Sequence, residues 1–247
     1  MAKIKLITLN FVTQMRNKGK DKNNMRKFFK KASLALLFAA ITPIIGCGDS
    51  KKNVTQAPVE TLSREEIKSR SFSELFKTID VTEIQGDVFT LVSKDYSVLT
   101  AGNPSHFNSM VASWGGWGIL FNKSAAFSFL RSSRYTLELI NKEQRYTITF
   151  FYDEYKDDIM PFGQKSGRDS DEKMKNTKLT SVQTPSGNMA YKEAKLIIEC
   201  KLISVTTVSP NDFLVEENKK FVVDAYAQTK AYHKIVFGEI TNVWERK

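Results

Sequence analysis

The segment from Ala194 to Leu202 constrains the fold more than any other part of this chain. Ala194, Leu196, Ile198, Cys200 and Leu202 alternate with Lys195, Glu199 and Lys201. A period of two with one apolar side is the mark of a strand that buries one face of a sheet. Tyr146 to Phe151 repeats it, with Tyr146, Ile148 and Phe150 on one face. Shorter runs add strands at Val88–Val92 and Ser97–Ala101, expected as a hairpin around Lys94-Asp95. Phe107–Trp114 and Trp117–Phe121 are expected to join through a Gly115-Gly116 turn, followed by strands at Ala126–Leu130 and Ile235–Val243. Helices are fewer. Ser63 with Glu66 forms a capping-box pattern that predicts a helix to about Ile79. Tyr135–Lys142 predicts a second, with Leu137, Leu139 and Ile140 apolar. Many short strands with few helices make the chain mainly β, an α+β domain built on an antiparallel barrel or sandwich with short helical inserts. Periodicity alone does not choose among small barrels.

The first 46 residues read differently. Ten of the 37 Lys and Arg residues lie there against one acid, Asp21. From Cys47 onward 27 basic residues face 26 acidic ones, so the formal charge of +10 is almost all in the leader. The body is near neutral and offers no nucleic-acid surface. Arg26, Lys27, Lys30 and Lys31 form a positive n-region before an apolar stretch from Ala32 to Ile45. At 14 residues that stretch is shorter than the roughly 20 that a spanning helix needs, so it reads as a secretory signal. Ile44-Ile45-Gly46-Cys47 closes it and resembles a bacterial lipobox, in which Cys47 carries the lipid and becomes the new N-terminus. Met25 is as good a start as Met1. The organisation predicted is therefore an extension and lipoprotein signal over residues 1–46, a polar tether over 47–61 and one domain over 62–247. The implied place is the bacterial cell envelope, with the membrane reached through a lipid anchor. Cys200, on the apolar strand face, reads as core.

Several chemistries find no support. The two histidines, His106 and His233, and the two cysteines have no metal-ligand spacing. There is no strand–loop–helix with G-x-G-x-x-G and no G-x-S-x-G elbow. One segment does carry chemistry. Arg131-Ser-Ser-Arg-Tyr-Thr136 follows a strand-like run and opens a helical one. Two guanidiniums three residues apart, hydroxyls and helix-start N–H groups can together hold a phosphate monoester. The same residues also suit a plain helix start with two solvated arginines.

Four blocks in order resemble the flavin reductase-like family, over Ser97 to Val243. They are Asn108-Ser-Met-Val-Ala-Ser-Trp-Gly-Gly-Trp-Gly118; Arg131-Ser-Ser-Arg-Tyr-Thr-Leu-Glu138; Phe150-Phe151 followed by Gly163-Gln-Lys-Ser-Gly-Arg-Asp-Ser-Asp171 and Lys173; and Glu193-Ala-Lys-Leu-Ile-Ile-Glu-Cys200, with His233 and Gly238-Glu-Ile240 beyond. The resemblance implies an FMN-binding split barrel. It implies that Asn108, Ser109, Met110, Ala112, Ser113 and Trp114 run along the isoalloxazine and ribityl, and that Arg131, Ser133, Arg134 and Thr136 take the phosphate. Ser166, Gly167, Arg168 and Lys173 would lie on a loop covering flavin or pyridine nucleotide. His233 would be a hydrogen-bonded structural histidine or would touch flavin or substrate. Lys123-Ser124 and Arg131-Ser132-Ser133 stand where the family often has Lys-Pro and Arg-Pro-Ser, which loosens turns without removing a phosphate ligand.

The activity implied is hydride or electron transfer between NAD(P)H and an acceptor through FMN, in a homodimer. The alternatives are a membrane-anchored flavin-binding electron carrier and a non-enzymatic binding protein on the same barrel. The protein's part would be orientation, phosphate anchoring and electrostatics, so no catalytic base is named.

Overall fold

A computed structural model describes residues 62–168 and 172–247. The leader, Cys47, the tether, Asp169 and Asp171 lie outside these residues. The centre of the fold is one antiparallel sheet. Its strands are β1 (Phe76–Ile79), β2 (Ser97–Asn103), β3 (His106–Ala112), β4 (Gly115–Leu120), β5 (Lys123–Arg131), β6 (Arg145–Phe151), β9 (Ala194–Thr207) and β10 (His233–Arg246). The order is β3-β2-β6-β9-β10-β5-β4, with β1 beside the far end of β10. The sheet does not close. Its two edges, β3 and β4, are consecutive in the chain and are joined through Ser113-Trp114 rather than by a ladder. That open seam is a split barrel.

The alternating strands behave as their periodicity dictates. Ile148, Phe150, Leu196, Ile198 and Cys200 point into one core with Leu99, Met110, Leu130 and Val236. Burial of such side chains contributes about 1.5–3 kcal/mol each. Beside Cys200, Gly238 on β10 leaves room that no other residue would, since a Cβ there would stand 2.5 Å from Tyr146 Oη. The opposite face of β9 is also covered. A hairpin of β7 (Ser181–Gln183) and β8 (Met189–Tyr191) lies over it and buries Glu199 completely. That carboxylate accepts from the Thr184 hydroxyl, from Asn188 Nδ2 at 3.0 Å and from Asn242 Nδ2 at 2.7 Å.

Three local expectations are corrected. The helix from Ser63 is broken: α1 (Arg64–Ser69) stops at Arg70, α2 (Phe72–Leu75) follows, and Phe76–Ile79 is strand. Ser71 and Glu74 make a second capping box, which restarts the helix rather than continuing it. Val88–Val92 is not a strand but the body of α3 (Val88–Ser93), started by Asp87, whose side chain accepts from Thr90 N at 2.8 Å. The turn before β4 is Ser113-Trp114, and Gly115-Gly116 already belongs to the strand. Helices α4 (Tyr135–Glu143), α5 (Lys156–Gln164), α6 (Glu172–Lys175) and α7 (Glu216–Ala225) complete the fold.

Candidate functional site

The Asn108–Gly118 and Arg131–Glu138 blocks meet at the seam. β5 ends at Arg131, and the chain turns at once into α4, whose N-cap is Arg134. Among the described residues no side chain caps this helix; the Leu137 N–H bonds the Arg134 carbonyl at 3.0 Å, and the N–H groups of Tyr135 and Thr136 are open to a ligand. Asn108 on β3 ties the two segments together: its Nδ2 donates to Thr136 Oγ1 at 2.7 Å, and both residues are buried. Asn108 Oδ1 has no hydrogen-bond partner among the described residues.

Arg131 and Arg134 are exposed, and no carboxylate pairs with either among the described residues. The Lys173 ammonium is nearly buried and donates to the Lys165 carbonyl at 3.1 Å. Burial, with Arg134 nearby, lowers its pKa to about 8. Glu138, in the first turn of α4, is already engaged: the Arg168 fork grips it at 2.8 and 2.5 Å and donates to the Ser133 carbonyl at 3.2 Å. Arg168 is thus a clamp that fixes its loop to the helix start. Gly167, next to it, packs so tightly on Asn108 that a Cβ would stand 2.0 Å from Asn108 Oδ1.

The other expected residues are distributed as follows. Ser109 is turned inward, its hydroxyl bonded to Thr100 Oγ1 at 2.8 Å and Tyr191 Oη at 2.6 Å. Met110 and Ala112 bury their side chains in the core, so only their backbone can face a ligand at the β3 edge. Ser166 is exposed and accepts from Arg168 N at 3.2 Å. Ser113 is half-buried. Trp114 is 56 % exposed and lies on His233, ring centres 4.8 Å apart. Beside it an apolar groove of about 330 Å³ runs between α3 and β4, lined by Val88, Phe89, Val92, Trp117 and Phe127.

Two residues stand closer to the centre of this site than the sequence indicates. His233 opens β10 directly opposite Arg131. Burial and then the positive charges of Arg131 and Arg134 lower its pKa to about 4, so its ring is neutral. Tyr226, at the C-cap of α7, hydrogen-bonds His233 Nδ1 and has the Arg131 guanidinium 5.8 Å from its ring centre. No sequence signal marks Tyr226, because α7 itself has no buried residue to betray it.

The donor set fits a phosphate group. It offers two unpaired guanidiniums, a desolvated ammonium, the hydroxyls of Ser132 and Ser133 and an uncapped helix start, with the nearest acid already bound.

The family model described as "Flavin reductase like domain" matches residues 90–247. A search of curated proteins finds no match. Among solved structures, the FMN-binding domain of a flavin reductases-like enzyme from Shewanella baltica OS155 aligns with a TM-score of 0.50 at 14 % identity, over 69 % of this chain and 76 % of that one. An FMN-binding protein from Thermus thermophilus aligns at 0.48 with 18 % identity, over 68 % and 80 %. Flavoredoxin from Methanosarcina acetivorans aligns at 0.47 with 17 % identity, over 68 % and 76 %. At these identities the first alignment carries the fold and nothing finer.

Proposed function

The chain belongs to the flavin reductase-like domain family, and from that premise we propose that it is an FMN-binding oxidoreductase that passes electrons from NAD(P)H to an acceptor. The observation that carries this reading is the cluster of Arg131, Arg134 and Lys173, which has no balancing carboxylate among the described residues and sits at a helix start that none of their side chains caps. A buried cation such as Lys173 is costly without a counterion, and the exposed guanidiniums beside it add to the pull on an anion. A flavin mononucleotide supplies a dianionic phosphate for that end and a ring that accepts hydride for the other.

In this reading Arg131 and Arg134 hold the phosphate, with Ser133 and the N–H groups of α4 filling its remaining oxygens. Thr136 acts one step back, by orienting Asn108. Asn108 Oδ1, buried beneath Gly167, seats the covering loop. Trp114 and the backbone of Met110 to Ser113 form the wall along the ring. Gly167 and the Arg168 clamp cover the site and exclude water. Orientation and charge placement are the chain's contribution to hydride transfer, and no general base is required.

We also infer a homodimer. Phe89 (82 % exposed) and Trp114 stand at the rim of the apolar groove, and Ile119 (74 %) follows groove-lining Trp117 on the same face of β4. A patch with both projecting rings and a hollow suits a second copy across a two-fold axis. Attachment to the envelope through lipid on Cys47 completes the proposal, and Cys47→Ser is expected to release the protein from membranes washed in high salt.

The test of the function is a spectrum. Purified protein is expected to carry flavin absorbance that bleaches anaerobically on addition of NADH or NADPH. A flavin spectrum that neither nucleotide bleaches would leave an electron carrier. A protein that binds no FMN would refute the reading.

A further inference from the structure

His233 lies between the two ends of the site. One face of its ring meets Trp114 at 4.8 Å, and across the ladder it is paired with Arg131. Its Nδ1 is bonded to the Tyr226 hydroxyl, while Nε2 makes no hydrogen bond among the described residues. Tyr226 is buried, with its ring edge-on to His233 at 5.6 Å and to Tyr232 at 5.4 Å. It arrives on α7, an excursion between β9 and β10 that has no other buried side chain.

We propose that Tyr226 is a positioning residue: its O–H donates to Nδ1 of His233 and fixes the ring as the Nε2–H tautomer, a neutral donor offered to the flavin beside Arg131 and Trp114. The direction of the bond follows from the two groups. An imidazole nitrogen is a stronger base than a phenol oxygen, so the pair is best made with the phenol donating. The phenol keeps its proton, since burial raises its pKa above the usual value against the pull of Arg131. The charged and titratable groups facing His233 are Arg131 from β5, Arg134 from α4, Tyr226 from α7 and Tyr232 from the loop before β10. Both cations oppose a charge on the ring. The neutral form leaves one N–H, and with Nδ1 occupied that N–H is on Nε2. The inference rests on the proposed flavin site only for the identity of the acceptor.

The chain has two histidines, so a 15N–1H spectrum of the imidazole nitrogens contains two patterns, and His106→Asn identifies the one from His233. Without flavin at pH 7, His233 is expected to show a protonated Nε2 and an unprotonated Nδ1, with a titration midpoint near 4. Tyr226→Phe removes the donor and is expected to mix the tautomers, while the midpoint stays low because burial, Arg131 and Arg134 remain. Added FMN is expected to move the Nε2 signal. A proton on Nδ1 in the unaltered protein would overturn the proposal, and that reading stands even where Tyr226→Phe fails to fold. A folded Tyr226→Phe protein with its tautomer unchanged would overturn it equally. FMN that binds by fluorescence yet leaves Nε2 unmoved would remove the flavin role of His233. Failure of FMN to bind at all would contradict the proposed function instead, and the flavin-free spectrum would still judge Tyr226.

Discussion

Glu199 and the Arg131–Arg134–Lys173 group are both polar clusters held by the same sheet, and their charges are settled in opposite ways. Glu199 is fully buried and satisfied, with three side-chain donors meeting one carboxylate. The arginine group is rich in donors and has no acid of its own among the described residues. A closed network of the first kind pins the β7–β8 hairpin to β9 and needs nothing from outside. An unbalanced group of the second kind is complete only with an anion. The difference separates polar residues that hold the fold from polar residues that await a ligand, and it does so without reference to any relative.

Substitutions and a change of pH can break that distinction. The largest effect is expected from Glu199→Gln. It turns one accepting oxygen into an amide that faces Asn242 Nδ2 and removes the buried charge, costing about 3 kcal/mol of stability. Urea unfolding should show the loss, while the folded fraction keeps its FMN affinity. Weakened FMN binding at unchanged stability would place Glu199 in the ligand site and undo the comparison.

Gly167→Ala comes next. The added methyl cannot coexist with Asn108 at 2.0 Å, so the loop must lift at a cost of about 1–3 kcal/mol. Faster hydrogen exchange around Ser166–Arg168 and weaker FMN binding should appear together. Unchanged exchange there would show that the loop accommodates the methyl without lifting. Arg131→Ala and Arg134→Ala are the mirror image of the glutamate change. Stability should move by less than about 0.5 kcal/mol, as for most exposed positions. FMN affinity should fall about ten- to a hundredfold, since each guanidinium gives a charge-assisted bond of roughly 1.5–3 kcal/mol to the phosphate.

The smallest effect is on pH dependence. Lys173 titrates near 8 in the free protein, and a bound phosphate favours its charged form. Affinity for FMN should therefore be full between about pH 7, where the phosphate is dianionic, and pH 8, and decline as pH rises above it, with riboflavin unaffected. The sign for stability is separate. A lysine whose folded pKa is depressed binds fewer protons folded than unfolded between about 8 and 10.5, so stability without ligand rises with pH in that window. Lys173→Met should flatten both curves. A pH dependence that persists in this variant would assign it to another group.

Much of this was legible because single residues carried single meanings. The alternation from Ala194 to Leu202 required a strand with one face inside, and Cys200 is there. It did not show that Glu199 would be buried on the other face, because the covering hairpin comes from residues 181–191, whose short strands have no period of their own. Val88–Val92 is a run of β-favouring side chains that folds as a helix; the deciding signal was Asp87, a capping residue outranked by five apolar or branched neighbours. The arginine pair was readable as a phosphate site or a helix start, and it is a helix start whose charges remain unpaired. Tyr226 was not readable at all. Its partner is seven residues on and its neighbour Arg131 is on another strand, so its role exists only once β5, β10 and α7 come together.

The central claim is that the cations at the start of α4 serve the phosphate of a flavin. Fluorescence titration of the flavin-free protein with FMN and with riboflavin, repeated on Arg134→Ala, tests it most directly. The account predicts that the unaltered protein prefers FMN by tenfold or more and that Arg134→Ala erases most of that preference by weakening FMN alone, in keeping with about 1.4 kcal/mol or more for the lost contact. Equal affinity for the two flavins in the unaltered protein, or equal weakening of both in the variant, would contradict it.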